Sequence, residues 1–263
     1  MADPQHLSLL RLGAVSWGQW RSQFPDCPVD LQDADLQGLN LRGFALGGIN
    51  FQGADLRRAK LIGVDLVGAN LTGADLRGAQ LWSASLRGAR LNQANLAGAQ
   101  LWRADLTGVE AIALEFSRAD LSQANLTGAN LVGGTGRGAN LRQVDLSRAV
   151  GDRLDLSNAR LIAAHLNQTS LRRANLSYAD FTGAHLSLAQ LTKAQLSFAH
   201  LSGCYLYQAD LQGCDLYETD LRWADLTKAD LSFTDLSKTK LGGAKLWQAT
   251  LQGVIGFPQA SPE

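Results

Sequence analysis

Residues 74–83 read Ala74-Asp75-Leu76-Arg77-Gly78-Ala79-Gln80-Leu81-Trp82-Ser83, one five-residue phrase spoken twice. Carried outward in both directions, the register of Leu76 and Leu81 runs from Leu31 to Leu251. It comprises 45 positions, of which 42 are Leu or Phe; the exceptions are Ala111, Gly136 and Gly151. A second register lies two residues ahead of the leucines, from Ala34 to Val254, and 29 of its 45 positions are Ala. No insertion interrupts either register.

A period of five excludes the ordinary elements. On a continuous helix, steps of about 100° would place successive leucines about 140° apart and scatter them around the axis. On one long strand, an odd period would send alternate leucines to opposite faces. The chain must therefore turn once per repeat. Local alternation then points the small residue and the Leu inward. The intervening Asp or Asn points out with the next residue, and the fifth position, often Gly, falls at the corner. Four such sides close a coil of 20 residues whose backbones pair with the next coil about 4.8 Å away. The fold class this predicts is all-β: a quadrilateral β-helix of about 11 coils, roughly 50 Å long. Each buried Leu contributes roughly 1.5–3 kcal/mol.

The composition fits one ordered domain, with 46% hydrophobic residues and 24 basic against 24 acidic. A formal charge of zero argues against a globally basic nucleic-acid binder and against a globally acidic DNA mimic. Three widely spaced cysteines, Cys27, Cys204 and Cys214, form neither a disulfide framework nor a zinc motif and point to a reducing cytoplasm. The opening Met1-Ala2-Asp3-Pro4-Gln5-His6 lacks the basic start of a signal peptide, and no run of about 18 apolar residues predicts a membrane span.

The repeat unit, A(D/N)LXX as in Ala74-Asp75-Leu76-Arg77-Gly78, resembles that of the pentapeptide-repeat proteins, over about 85% of the chain. That resemblance implies a right-handed helix hand, and it narrows function little. Trp17-x-x-Trp20-Arg21 ahead of a proline resembles the leader of cyanobacterial members.

An open β-helix exposes strand edges at both ends. Residues 1–30 lack the repeat and read as an N-terminal α-helical cap and linker. Asp3-Pro4 suits a helix start, Leu7, Leu10, Ala14, Trp17 and Trp20 form an apolar face, and Gly13 divides the segment. Leu39, Phe44 and Ile49 replace Ala in the first coil, as a covering element would require. Residues 31–253 are the repeat domain. Residues 254–263, with Val254, Ile255 and Phe257, are a cap or tail, or a dimer contact, so the chain is a monomer or a C-terminal-edge dimer. Lys228, Lys238, Lys240 and Lys245, four of the six lysines, gather near that edge, where they discourage pairing.

The three register breaks fall on two neighbouring sides. Leu114 and Leu154 stand where Ala is usual and can refill the space left at Ala111 and Gly151. Gly136 has no such partner and sits in Gly133-Gly134-Thr135-Gly136-Arg137-Gly138, read as a bulge or loose loop. Local repacking and a mid-rod recognition patch both fit these breaks.

Catalysis needs a concave site, which a leucine-filled rod does not predict; no enzyme, cofactor or metal is expected. His165 and His185 should stack one coil apart, without a third metal ligand. Cys204 and Cys214 replace inward Ala, and the 133–138 segment lacks the Lys-Ser/Thr of a phosphate loop. What remains is the surface. Over residues 29–253 the four sides carry net charges of −1, −2, +4 and 0. The +4 side holds Trp82 and Trp102 at equivalent outward positions, with Arg103, Arg142, Ile162 and Trp223 beside them. Aromatic and arginine clusters of this kind are the composition of interface hot spots, whereas stacked aromatics also simply support neighbouring strands.

These features predict a non-enzymatic interaction or scaffold module that docks an unidentified protein through Trp82, Trp102, Arg103, Arg142 and Ile162, without contacting nucleic acid or membrane directly. The resemblance supplies an alternative, DNA-mimic inhibition or protection of gyrase, together with a regulatory role such as that linked to a cyanobacterial member. Gyrase-directed members are acidic and dimeric; here no side is acidic.

Overall fold

The structure is a computed structural model and describes residues 2–256 of the 263. With one exception, parallel bridges link each repeat to the one 20 residues on, from Asp30↔Asn50 to Asp235↔Ile255. Four repeats therefore make one coil. Within a repeat only the segment around Asp or Asn is extended. The next residues form a two-residue corner rather than a one-residue corner, closed by a bond such as Ala74 N–H to Leu71 C=O at 3.0 Å.

Three features of the pentapeptide build this corner. Its second residue is left-handed at every position from Asp33 to Gly253 except Lys238, the conformation that a type II turn demands. Glycine meets that demand without strain, and no β-branched residue occupies the position. The Asp or Asn then accepts a bond from the first corner residue, as in Arg77 N–H to Asp75 Oδ1 at 3.1 Å and Ala97 N–H to Asn95 Oδ1 at 3.0 Å. Such Asx turns explain why this outward position favours Asp and Asn. Finally, the corner amide bonds to the next coil, as in Gly73 N–H to Asn92 C=O at 2.9 Å.

The leucine and alanine columns are buried as one continuous core. Most polar side chains that replace an inward Ala donate to a carbonyl 23 residues back, while Thr234 donates to Leu231, three back. Thr169 reaches Leu146 (2.7 Å) and Thr219 reaches Leu196 (2.8 Å). Cys204 and Cys214 reach Phe181 and Leu191, both at 2.9 Å, and burial pushes both thiols up to about 12. A thiol so placed remains protonated and unreactive at neutral pH.

The register breaks repack. Leu114 and Leu154 are buried, and a Cβ on Gly151 would stand 3.1 Å from Leu154 Cδ2. Gly134 lies between Leu114 and Leu154 in the small-residue column, so large and small residues alternate between Ala111, Leu131, Gly151 and their corner partners Leu114, Gly134, Leu154. Two expectations about Gly136 need correction. It does have a partner: the ring of Phe116, one coil earlier, fills the volume of the missing Leu and would overlap any Cβ there. Nor is 133–138 a bulge, because Thr135 bridges to both Glu115 and Asp155 and Gly136 N–H bonds to Asp155 C=O at 2.7 Å.

Two helices precede the coils: α1 (Pro4–Arg11) and α2 (Ala14–Gln23), separated at Gly13. Asp3 caps α1 by accepting from Gln5 N–H at 2.7 Å. Trp17 is fully buried, donates from Nε1 to Ala45 C=O at 2.9 Å and packs against Phe44. Leu10 is also buried, while Leu7, Ala14 and Trp20 pack half-buried beside the core. At the other end Leu241, Leu246, Leu251 and Val254 are only half-buried, and Ile255 is exposed. Phe257 lies outside the described residues. Among the described residues one rung is unmade: Asp215 and Asp235 form no bridge, although the rungs on either side do. No described helix is long and apolar enough to cross a membrane.

Candidate functional site

Regular coils give flat walls, so a concavity arises only where neighbouring side chains differ in height. A depression of about 650 Å³ lies on the wall of Leu81 and Leu101. Gly98 and Ala99 keep its floor low, and Trp82, Trp102, Arg118 and Asp120 rise around it. Gln100 lies on the same floor, and its Oε1 is buried without a hydrogen-bond partner. Leaving an acceptor unmet costs about 1–3 kcal/mol.

Trp82 and Trp102 are 39% and 38% exposed, enough to offer ring surface while their bases stay held by the wall. The expectation that they stack is corrected. Among the described residues the stacked rings are His165 on His185, His185 on Tyr205 and Tyr178 on Phe198. Trp102 instead lies under the Arg103 guanidinium, 4.3 Å from the ring centroid, a cation–π contact. Arg103 Nε donates to Gln123 Oε1 at 2.8 Å, and Gln123 Nε2 donates to Gln143 Oε1 at 3.0 Å, fixing the guanidinium over the ring.

The structure divides the remaining sequence candidates. Arg142 is exposed and Ile162 half-buried on the same wall, two and three coils beyond Trp102, and neither lines the depression. Trp223 is 73% exposed and lies against Gly243. Sequence reasoning missed Arg118 and Gln100. Arg118 belongs to the preceding side and turns onto this wall at the corner, which sorting residues by side conceals.

Elsewhere on the described surface, Arg57, Arg77, Arg87, Arg137 and Arg222 form ion pairs. Arg57 pairs with Asp55 at 2.5 Å and Arg77 with Asp75 at 2.6 Å, and Arg57 also faces Asp75 at 3.7 Å. The hydrogen bond from Arg57 holds the Asp55 carboxyl below the usual carboxylate range. Arg222 does the same for the buried Asp220, at 2.7 Å. His165 and His185 stack at 4.9 Å, and burial, reinforced by His165, lowers the pKa of His185. Among the described residues no group of three metal-ligating side chains gathers.

The pentapeptide repeat family model matches eight stretches between residues 34 and 255, leaving only 111–114 and 151–154 outside within that span. The chain belongs to the pentapeptide repeat family, whose fold is a right-handed quadrilateral β-helix and whose members are structural and interaction modules. Among solved structures it is similar to HetL, a pentapeptide repeat protein involved in heterocyst differentiation regulation from the cyanobacterium Nostoc sp. PCC 7120. Identity is 31% over 93% of this chain and 98% of HetL, with a TM-score of 0.44. It is also similar to Rfr23 from the cyanobacterium Cyanothece 51142, with 28% identity over 46% of this chain and 90% of that one and a TM-score of 0.32. A third is QnrB1, a plasmid-mediated fluoroquinolone resistance protein, with 21% identity over 80% and 91% and a TM-score of 0.43. No curated protein sequence matches the chain.

Proposed function

We propose that the protein is a non-enzymatic docking module whose rigid wall presents Trp82, Trp102 and Arg103 to a protein partner, with a regulatory rather than a chemical outcome. The depression between Trp82, Trp102 and Arg118 carries this reading. It combines exposed indole surface, a fixed guanidinium and an unmet acceptor on Gln100. Tryptophan and arginine dominate the energetics of protein interfaces. Because the corner amides of Ser83, Gly98, Arg103 and Arg118 are bonded into the ladder, these groups are pre-organised and binding orders little backbone. Arg142 and Ile162 extend the same wall and form the rim of the contact.

Residues 1–30 act in this reading as a cap that closes the amino-terminal edge, and residues 31–253 as the docking domain. The C-terminal edge is then the one edge available for self-pairing. The protein is a monomer where residues 254–263 cover that edge, and an edge dimer where they do not. Three free cysteines, two of them buried, support reading the protein as cytoplasmic.

The test is affinity capture from native lysate with wild type and the Trp82→Ala/Trp102→Ala variant, with bound proteins identified by mass spectrometry. A partner lost from the variant, whose thermal unfolding is unchanged, supports the assignment. Equal capture by both proteins refutes it.

A further inference from the structure

A second concavity, about 400 Å³, lies on the opposite side, lined by Asp152, Arg153, Arg172, Arg173, Thr192 and Lys193. The summed charge of that side is −1, which hides the local balance of four cations against one carboxylate. Arg153, Arg173 and Lys193 occupy the same corner position in three successive coils. Their rungs therefore stand about 4.8 Å apart, and the column spans about 10 Å.

The backbone holds these cations in line. All three corners are left-handed, and each donates its amide to the next coil: Arg153 to Arg172, Arg173 to Thr192 and Lys193 to Gln212, at 2.9–3.0 Å. Like charges directly opposite one another on neighbouring strands are destabilising, and the carboxylates of Asp152 and Asp210 are engaged by other donors. Asp152 turns into the wall, accepting from the Ser170 hydroxyl and from Arg172 N–H. Asp210, one coil beyond Thr192, accepts from the Thr192 hydroxyl and from Gln212 N–H. Among the described residues none of the four cations has an ion-pair partner, whereas Arg57, Arg77, Arg137 and Arg222 all do.

We propose that this groove binds a condensed phosphate chain, either free or as the triphosphate of a nucleotide. Arginine forks match phosphate oxygens in pairs, and a lysine adds a point charge. The spacing selects the ligand. Carboxylates on one face of an extended acidic peptide recur about every 6.6 Å, out of step with rungs at 4.8 Å. A condensed phosphate chain instead packs several charges within the span of the column. The backbone ladder keeps the cations assembled before binding, so their mutual repulsion is relieved only by the anion.

Isothermal titration with sodium tripolyphosphate at low ionic strength tests this. Wild type binds, and the affinity falls with added salt. Arg153→Gln/Arg173→Gln/Lys193→Gln loses at least tenfold, while the distant triple Arg42→Gln/Arg58→Gln/Arg90→Gln binds as wild type. Thermal unfolding by circular dichroism verifies that each variant is folded, and the single Arg173→Gln serves if the triple is not. ATP binding tighter than tripolyphosphate assigns a nucleotide as the source; weaker or equal binding assigns the free chain. Absence of binding by wild type, or equal losses in the two triples, overturns the proposal. So does polyglutamate binding at least as tightly as tripolyphosphate, which would replace the phosphate chain with an acidic protein segment.

Discussion

The two ends of the rod are made of the same pentapeptide and differ in what lies beyond it. At the amino-terminal end Trp17 is fully buried against Phe44, Ala45 C=O takes its indole proton, and Phe44 and Ile49 are buried although larger than the usual Ala. At the other end Ala244 and Val254 in that alanine column, and Leu241, Leu246 and Leu251 in the leucine column, are each left half-buried. An inward leucine is therefore not buried by its own repeat. It is buried by the coil above and the coil below, and a terminal coil has only one of these. The unmade rung between Asp215 and Asp235 lies at the weaker end, beside a small cavity of about 160 Å³ lined by Leu216, Tyr217 and Lys238.

Removing the side chain that closes the helical end should have the largest effect. Trp17→Ala deletes a fully buried indole and a hydrogen bond, and denaturant unfolding should show a loss of about 3–5 kcal/mol. A loss under about 1 kcal/mol would mean that the helices only rest on the first coil. The next comparison sets two equivalent leucines against each other. Leu186→Ala, in the middle of the rod, should cost about 2–5 kcal/mol. Leu246→Ala, 60 residues later in the same column, should cost less than half of that, because its site is already partly in water. Equal costs would show that the C-terminal end is covered in solution.

A smaller effect sharpens the account of the register breaks. Gly136→Leu restores the consensus residue yet should destabilise by about 1–3 kcal/mol, since Phe116 already fills the space. Adding Phe116→Leu should recover most of the loss, and a double-mutant cycle measures this coupling.

The smallest effect is one of pH. Burial lowers the pKa of His185 below the ordinary histidine value of 6.5, so the folded protein binds fewer protons than the unfolded chain just below that pH. Stability is therefore complete above about 6.5 and falls as pH drops through that window. Urea midpoints measured between pH 7.5 and 5 should decline, and His185→Gln should flatten the decline. The carboxylates of Asp55, Asp75 and Asp220 have lowered pKa values, so their contribution is lost only below 3.8. The two windows are thus separable.

Much of the fold was legible in the sequence because each pentapeptide is a nearly complete local instruction. The Asx turn at Asp75, the corner at Gly78 and the inward pair Ala74 and Leu76 all act within five residues, so they show in any single repeat. Leu154 was also recognisable as the filler for Gly151, three residues away. Phe116 was missed as the filler for Gly136 because its contact runs along the axis, 20 residues off, where no local pattern points. Arg118 at the edge of the tryptophan depression and the column of Arg153, Arg173 and Lys193 escaped for a related reason. Net charge summed along a whole side averages over many coils, whereas a ligand feels two or three.

The sequence by itself determined the period, the turn and the inward columns, because backbone sterics, Asx bonding and burial of Leu are decided within one repeat. Only the tertiary structure decided how the helices meet Phe44 and Ala45, which end leaves its leucines half-exposed, and which outward side chains share a concavity. Those outcomes depend on stacking: rungs about 4.8 Å apart bring together residues 20 positions distant, and what one coil lacks is supplied or left open by the next.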